Sequence, residues 1–188
     1  GIQGSEYSTR YRDTEPESFR ATGTALSTAA GRVSYYFGFL GEAMSIDTAC
    51  SSSLVSLNQA TKAIERGDAV HALSFGTHAN VDPSMFGVLS VNGMLSPDGR
   101  CKTFDKSANG YVRAEGCGGV FVGRMTDGEE PGPVMATVRG YAVNQDGRSN
   151  GLTAPNGPSQ VKLIDEALER AGVEGSDIAM LEAHGTGT

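Results

Sequence analysis

The chain has 188 residues, with 15 Lys plus Arg against 22 Asp plus Glu and a formal net charge of −7, a balance that argues against nucleic acid or an anionic membrane as the main partner. Its length suits one domain with a real core, two small domains being the alternative, and its apolar stretches fall well short of the roughly 20 residues that span a bilayer. Three widely spaced cysteines, Cys50, Cys101 and Cys117, write neither a disulfide framework nor a C-x-x-C metal site, so no metal is expected and a reducing cytoplasm is the default compartment.

Residues 5–20 are polar and charged and read as a surface segment. Leu26, Ala29, Ala30, Val33 and Phe37 then form one apolar stripe at helical spacing. Gly31 inside it costs about 1 kcal/mol relative to Ala, which implies tight packing against a neighbour. Residues 43–48 read as a short buried strand, 51–66 as a helix stopped by Gly67, and 70–76 as a second strand. Strand, helix and strand with short connections favour a parallel pair. Residues 80–110 carry turn signals and little periodicity, and a loop-rich stretch of that length usually covers a site. Segments 117–125 and 133–143 are β-rich and joined by Thr126–Gly132, which predicts an antiparallel hairpin. A polar Gly/Asn loop at 144–157 leads to Pro158, which opens a helix carrying Val161, Ile164, Leu168 and Ala171 on one face, with Gly172 after it. A last strand, 178–183, delivers His184-Gly185-Thr186-Gly187-Thr188 to the terminus. Nothing would hold such a loop there, so the chain is expected to be cut from a longer one.

Cys50 stands between a predicted strand and a predicted helix. A thiol there meets the positive end of the helix dipole and unpaired backbone N–H groups, which favour the thiolate and can bind an oxyanion in acyl transfer. The sharp turn has the geometry of a nucleophile elbow. The same spacing also fits a buried structural cysteine among small residues. His184, on a turn with two threonines, can reach into a cleft whose ligand amide those hydroxyls would bind; a surface histidine in a flexible loop is the alternative. His71 and His78 bracket a strand and read as solvated or structural, and Cys101 and Cys117 as packing residues. Gly116-Cys117-Gly118-Gly119 leads into a strand, so no helix N-terminus would face a phosphate. Asp105 and Glu115 stand beside Lys106 and Arg113 and read as members of structural ion pairs.

Asp47-Thr48-Ala49-Cys50-Ser51-Ser52-Ser53-Leu54-Val55, followed by Glu182-Ala183-His184-Gly185-Thr186-Gly187-Thr188, resembles the β-ketoacyl synthase (ketosynthase) domain of modular type I polyketide synthases. Gly31–Tyr35, Leu95–Cys101 with Phe104-Asp105, Val143–Gly147 and Asn150–Asn156 add further blocks in the family's order. The resemblance implies a thiolase-like α/β fold, α-β-α-β-α in layers, of which residues 1–188 would hold the later part of the first half and the start of the second. It implies that Cys50 accepts the acyl chain, that His184 is one of two catalytic histidines, and that Thr186 and Thr188 hydrogen-bond a pantetheine arm. The implied reaction is decarboxylative Claisen condensation of the Cys50 thioester with a malonyl-type extender. Substrates would ride on the phosphopantetheine of an acyl carrier protein, with no cofactor bound directly, and the parent would be a homodimer.

The second histidine, a lysine and a glycine-rich oxyanion turn of the family fall outside these 188 residues, so the isolated stretch is expected to be inactive and marginally stable. Glu42 stands where the family usually has Pro, Phe75–Ala79 departs from its small, Gly-rich run, and the hairpin linker is shorter than in many relatives. A Cys at the nucleophile position speaks for condensation over decarboxylation alone. Rival readings are a fatty-acid-type ketosynthase and a non-catalytic docking or dimer-forming segment.

Overall fold

The computed structural model describes residues 1–4, 6–9, 11, 13–125 and 132–188. The chain divides into two compact units, Gly1–Val122 with Ala183–Thr188, and Gly123–Glu182. In the first, α1 (Glu6–Thr9), α2 (Arg20–Thr24) and α3 (Ser27–Phe37) precede α4 (Ser52–Arg66), β1 (His71–His78), α5 (Ser84–Val91) and β2 (Gly116–Gly123).

Both long predicted helices of this unit form, and each ends at a glycine, Gly67 as the sequence predicts. Gly38 after α3 and Gly67 after α4 take φ values of 70° and 81°, the left-handed conformation that lets the last carbonyls be capped without a Cβ clash. Gly31 does not fulfil its expected role. A Cβ there would meet nothing within 4 Å, so no neighbour explains the glycine. Gly31→Ala is expected to raise stability by about 1 kcal/mol through helix propensity and a less disordered unfolded chain. The check is the thermal midpoint, and a decrease would show that something does pack on that face.

Of the predicted strands, two form. β1 pairs with β2 in the antiparallel sense. His71 stacks on Phe121 at 5.0 Å between centroids, Gly119 faces Phe75, and the Asn80 N–H reaches Glu115 Oε1 at 2.8 Å, so numbers rise on one side as they fall on the other. The expected parallel pairing of 43–48 with β1 is not made. Ile2 comes between them: its N–H donates to the Ile46 carbonyl at 3.0 Å, and it bridges Thr77 in the parallel sense. The helix α5 falls in the stretch expected to be loop. Its sequence, SMFGVLSV, is apolar on nearly every side and so shows no 3.6-residue alternation to detect.

Packing in this unit centres on α4 against β1. Ala63 and Ile64 are its buried apolar side chains, and Ser74 Oγ donates to Ser56 Oγ at 2.9 Å across the contact. At the N-terminal end of α4 the approach is closest. A Cβ on Gly76 would lie 2.7 Å from Ser53 Cβ, so only glycine lets the helix start sit on the strand.

The second unit is built on α6 (Gly157–Ala171). Asn156 caps it by accepting from Ser159 N; Pro158 occupies the first turn and Gly172 closes it at φ 62°, the last two as the sequence predicts. The preceding loop fastens onto the same end. Asn156 Nδ2 and Ser159 Oγ donate to the Asp146 carbonyl at 2.8 and 3.1 Å. The expected strands 133–143 and 178–183 carry no ladder among the described residues. Side chains secure the first of them instead: Arg170 Nη1 donates to Tyr141 O at 3.2 Å, and Arg139 Nη2 to Ala171 O at 3.3 Å. Residues 126–131 of the expected hairpin linker lie outside the described residues.

Candidate active site

Two non-glycine residues take positive φ among the described residues, Ala49 and Phe104, and the first of them lies immediately before Cys50. Ala49 adopts φ 56°, a left-handed conformation that a Cβ disfavours by roughly 1–2 kcal/mol. Short polar side chains on both sides hold it there. Asp47 Oδ1 accepts from Ala49 N–H at 3.0 Å. Ser52 Oγ accepts from Thr48 N–H at 2.8 Å and donates to Ala49 O at 2.6 Å. Ser51 Oγ donates to Thr48 O at 2.9 Å. Asp-Thr-Ala-Cys-Ser-Ser thus reads as a turn wired by its own hydroxyls, and strain of this kind concentrates at functional sites.

The turn lifts Cys50 onto the surface at the start of α4. Its side chain is exposed, which sets aside the buried structural alternative. It opens on a cavity of about 530 Å³ whose wall includes Ser52, Ser53, Thr77, His78 and Glu115.

The tail that carries His184 belongs to the same unit. Gly185 and Gly187 take φ values of 57° and 73°, so the alternation with threonine is a backbone requirement. Gly110 N–H donates to Gly187 O at 3.0 Å, and Thr103 Oγ1 donates to Gly185 O. The central loop expected to cover a site therefore seats this tail. That loop is itself braced: Lys102 Nζ pairs with Asp98 at 2.8 Å, and Lys102 and Ser96 hold the Asp98 carboxyl below its ordinary range.

Tyr111 extends the connection towards Cys50. Its backbone is fixed by Met94 O and Ser96 N, each at 2.9 Å. Burial, and then the negative charge of Cys50, push its hydroxyl above the ordinary tyrosine range, with Arg113 opposing them. Gly110 thus holds the His184 tail while its neighbour lies within the field of Cys50. No hydrogen bond joins Cys50 to His184 among the described residues. His184 is exposed. The Thr186 and Thr188 hydroxyls bond each other at 2.7 Å, so a ligand amide would have to separate them.

Several expectations need correction. Cys101 and Cys117 are exposed, not packed; Cys101 Sγ accepts from Val112 N–H at 3.2 Å. Glu115 takes the Asn80 N–H, while Arg113 pairs with Glu6 at 2.5 Å. Asp105 is bonded by Ser107 through both hydroxyl and N–H, which hold its carboxyl low. His78 is structural as expected, in contact with Arg113 Nη2 at 3.3 Å. Sequence reasoning missed Glu6, Arg113 and Tyr111 as organisers of the site. A partner 107 residues away leaves no periodic trace. Among the described residues no three His, Cys, Asp or Glu side chains gather as a metal set, and no helix is long and apolar enough to cross a membrane.

Comparison with known proteins bears directly on this arrangement. The family model "Beta-ketoacyl synthase, N-terminal domain" matches residues 1–128, and "Beta-ketoacyl synthase, C-terminal domain" matches 135–188. The chain is similar to a polyketide synthase of Streptomyces halstedii (GfsB), 48% identical over all of this chain and 3% of that protein. It is 49% identical, over 92% of its length and 4% of the relative, to the mycoketide-CoA synthase of Mycobacterium tuberculosis. Among solved structures, an oxazolomycin ketosynthase domain of Streptomyces albus matches at TM-score 0.85 and 44% identity, over 88% of this chain and 30% of that one. A ketosynthase from module 6 of the bacillaene synthase of Bacillus subtilis matches at TM-score 0.91 and 36% identity, over 100% and 32%. The thiolase-like α/β fold expected from the sequence is thereby found, over about a third of the solved chains' length. With both halves of the family model in place around an exposed cysteine and a Gly-Thr tail, the chain belongs to the β-ketoacyl synthase family, in its polyketide synthase branch.

Proposed function

We propose that this chain supplies the acyl-accepting thiol and one imidazole of a decarboxylative condensation in polyketide assembly. The observation that carries the reading is Cys50: exposed, lifted by a strained and hydroxyl-wired turn, opening on a cavity, in the unit that also seats the His184 tail. In the first half-reaction the Cys50 thiolate attacks a carrier-bound thioester and expels the carrier's thiolate, which takes up from solvent the proton that the Cys50 thiol had given up. In the second, a malonyl-type thioester loses carbon dioxide. The electrons of the broken C–C bond form an enolate, whose carbon attacks the Cys50 thioester and expels the thiolate. Sulfur suits both halves, as nucleophile and as leaving group.

His184 acts in the second half, donating an N–H to the developing enolate oxygen. Thr186 and Thr188, once separated, hydrogen-bond the pantetheine arm. The acyl carrier protein is thus the partner, its phosphopantetheine carries the substrates, and the protein acts as an acyltransferase in the cytoplasm, as a homodimer. Residues 1–188 would form part of a single ketosynthase domain.

His184→Ala separates the two half-reactions. Loss of one such donor typically costs about 3–4 kcal/mol of transition-state stabilisation, several hundredfold in rate. In a complete ketosynthase domain carrying these residues, the expected result is condensation reduced by that factor while acylation of Cys50, followed by mass spectrometry, stays near its starting rate. Unchanged condensation would remove His184 from the mechanism.

A further inference from the structure

The imidazole of His184 makes no hydrogen bond among the described residues. No carboxylate or carbonyl turns its ring, the usual device for aiming a histidine, so within this unit the backbone that carries it must do so. That backbone is intrinsically loose. Gly185 and Gly187 stand at φ 57° and 73°, a region that glycine enters and leaves freely. Two hydrogen bonds from elsewhere in the unit restrain it among the described residues. Gly110 N–H donates to Gly187 O at 3.0 Å, and Thr103 Oγ1 donates to Gly185 O, the first carbonyl beyond His184's own.

Thr103 meets the tail by shape as well. A Cβ on Gly185 would lie 2.8 Å from Thr103 Cγ2, so methyl and hydroxyl both press on that one residue. The side chain is itself aimed. Thr103 lies in the turn Lys102–Asp105, closed by Asp105 N–H to Lys102 O at 3.2 Å. Lys102 is anchored by Asp98 Oδ2 at 2.8 Å and Asn109 Oδ1 at 2.7 Å, and Asp105 by Ser107. Between Thr103 and Asp105, Phe104 adopts φ 61°, a conformation rare for a bulky residue. Its ring is 90% exposed, so packing of the ring does not offset that cost. The two strained non-glycine residues among the described ones thus adjoin the nucleophile and the seat of the His184 tail.

We propose that Thr103 is a positioning residue for His184: by donating to Gly185 O, its hydroxyl fixes the direction in which the imidazole leaves the backbone. Without that donor the Gly185 peptide is free to turn, and the ring spends less of its time where an enolate oxygen forms. Thr103 acts through His184, so acylation of Cys50, which does not use the imidazole, is spared. The proposal rests on the reading of His184 as the donor to the enolate.

Two variants test it. Thr103→Val keeps the shape and removes the donor, whereas Thr103→Ser keeps the donor and removes the methyl. Thr103 is exposed, so neither should unfold the unit. In a complete ketosynthase domain carrying these residues, Thr103→Val should slow condensation about tenfold with acylation of Cys50 near its starting rate. Thr103→Ser should recover most of the loss. Condensation unchanged in Thr103→Val, a Thr103→Ser as slow as Thr103→Val, or acylation and condensation falling together overturns the proposal. His184→Ala measured alongside separates the two readings. If it is slow while Thr103→Val is not, the proposal alone fails; if condensation is unmoved in both, the reading of His184 beneath it fails too. The seat can also be examined without turnover. In the same domain, selectively labelled, the ¹³C resonance of the Gly185 carbonyl and the Cε1–H resonance of His184 should both shift in Thr103→Val and return in Thr103→Ser, and unmoved resonances overturn the proposal.

Discussion

Cys50→Ala is expected to abolish acyl transfer, by at least about 10³-fold, since removing a nucleophile leaves only what binding and orientation can supply. The fold should survive the change. The side chain is exposed, and the turn is held by Asp47, Ser51 and Ser52 without help from the sulfur. Cys101 and Cys117 are the internal controls. All three thiols are exposed, so accessibility alone predicts similar labelling, whereas the strained turn and cavity predict that a carrier-borne acyl group collects at Cys50. Peptide mapping after acyl transfer, in the unaltered protein and in each Cys→Ala variant, decides between them. Acyl label spread evenly over the three positions would remove Cys50 from its role.

The second large effect is on stability. Glu6→Ala should destabilise the first unit by about 3 kcal/mol. The Glu6 carboxylate is 13% exposed and pairs with Arg113. It also accepts the Val81 and Asp82 N–H groups, each at 3.0 Å. Truncation would leave a buried guanidinium and two half-buried amides without this acceptor, which is the costly direction of change. Burial alone would raise the Glu6 pKa. The Asp82 N–H, Arg113 and the Val81 N–H outweigh it and hold the carboxyl below the usual carboxylate range. The sign follows for a group whose folded pKa is depressed: its stabilisation is complete above the unfolded pKa and is lost as pH falls through the folded one. Urea unfolding followed by tyrosine fluorescence suits a chain with six Tyr and no Trp. A Glu6→Ala midpoint equal to the unaltered protein's near neutral pH would show that the pair contributes nothing. Glu6→Gln should lose part of the stability near pH 7 and show a flatter acid limb.

The sequence was most legible where the cause of structure is local. Gly67 and Gly172 end their helices because the left-handed residue must be one without a Cβ, and Pro158 starts α6 by an equally short-range rule. The turn at Cys50 is of the same kind, since Asp47 and Ser52 act across five residues. What failed was non-local. Residues 43–48 have the composition of a strand, yet which segment lies beside them depends on Ile2, some 44 positions away. The same holds for 133–143, whose backbone is tied to α6 by arginines and not by a ladder. Arg113 was assigned a neighbour in sequence, Glu115, when its true partner is Glu6. The helix α5 was missed for the opposite reason, because uniform apolarity erases the contrast that periodicity needs. At the site, Cys50 and the Gly-Thr tail were readable from residue types, and His78 is structural, as the sequence allowed.

The wiring of the Cys50 turn closes within residues 47–52, whereas the His184 tail comes from 134 positions further along. On a ribosome adding roughly 5–20 residues per second, the Cys50 turn can be complete about 7–27 seconds before His184 has been synthesised. A nascent chain therefore bears a formed but unaccompanied thiol, open to adventitious acyl donors and oxidants during that interval.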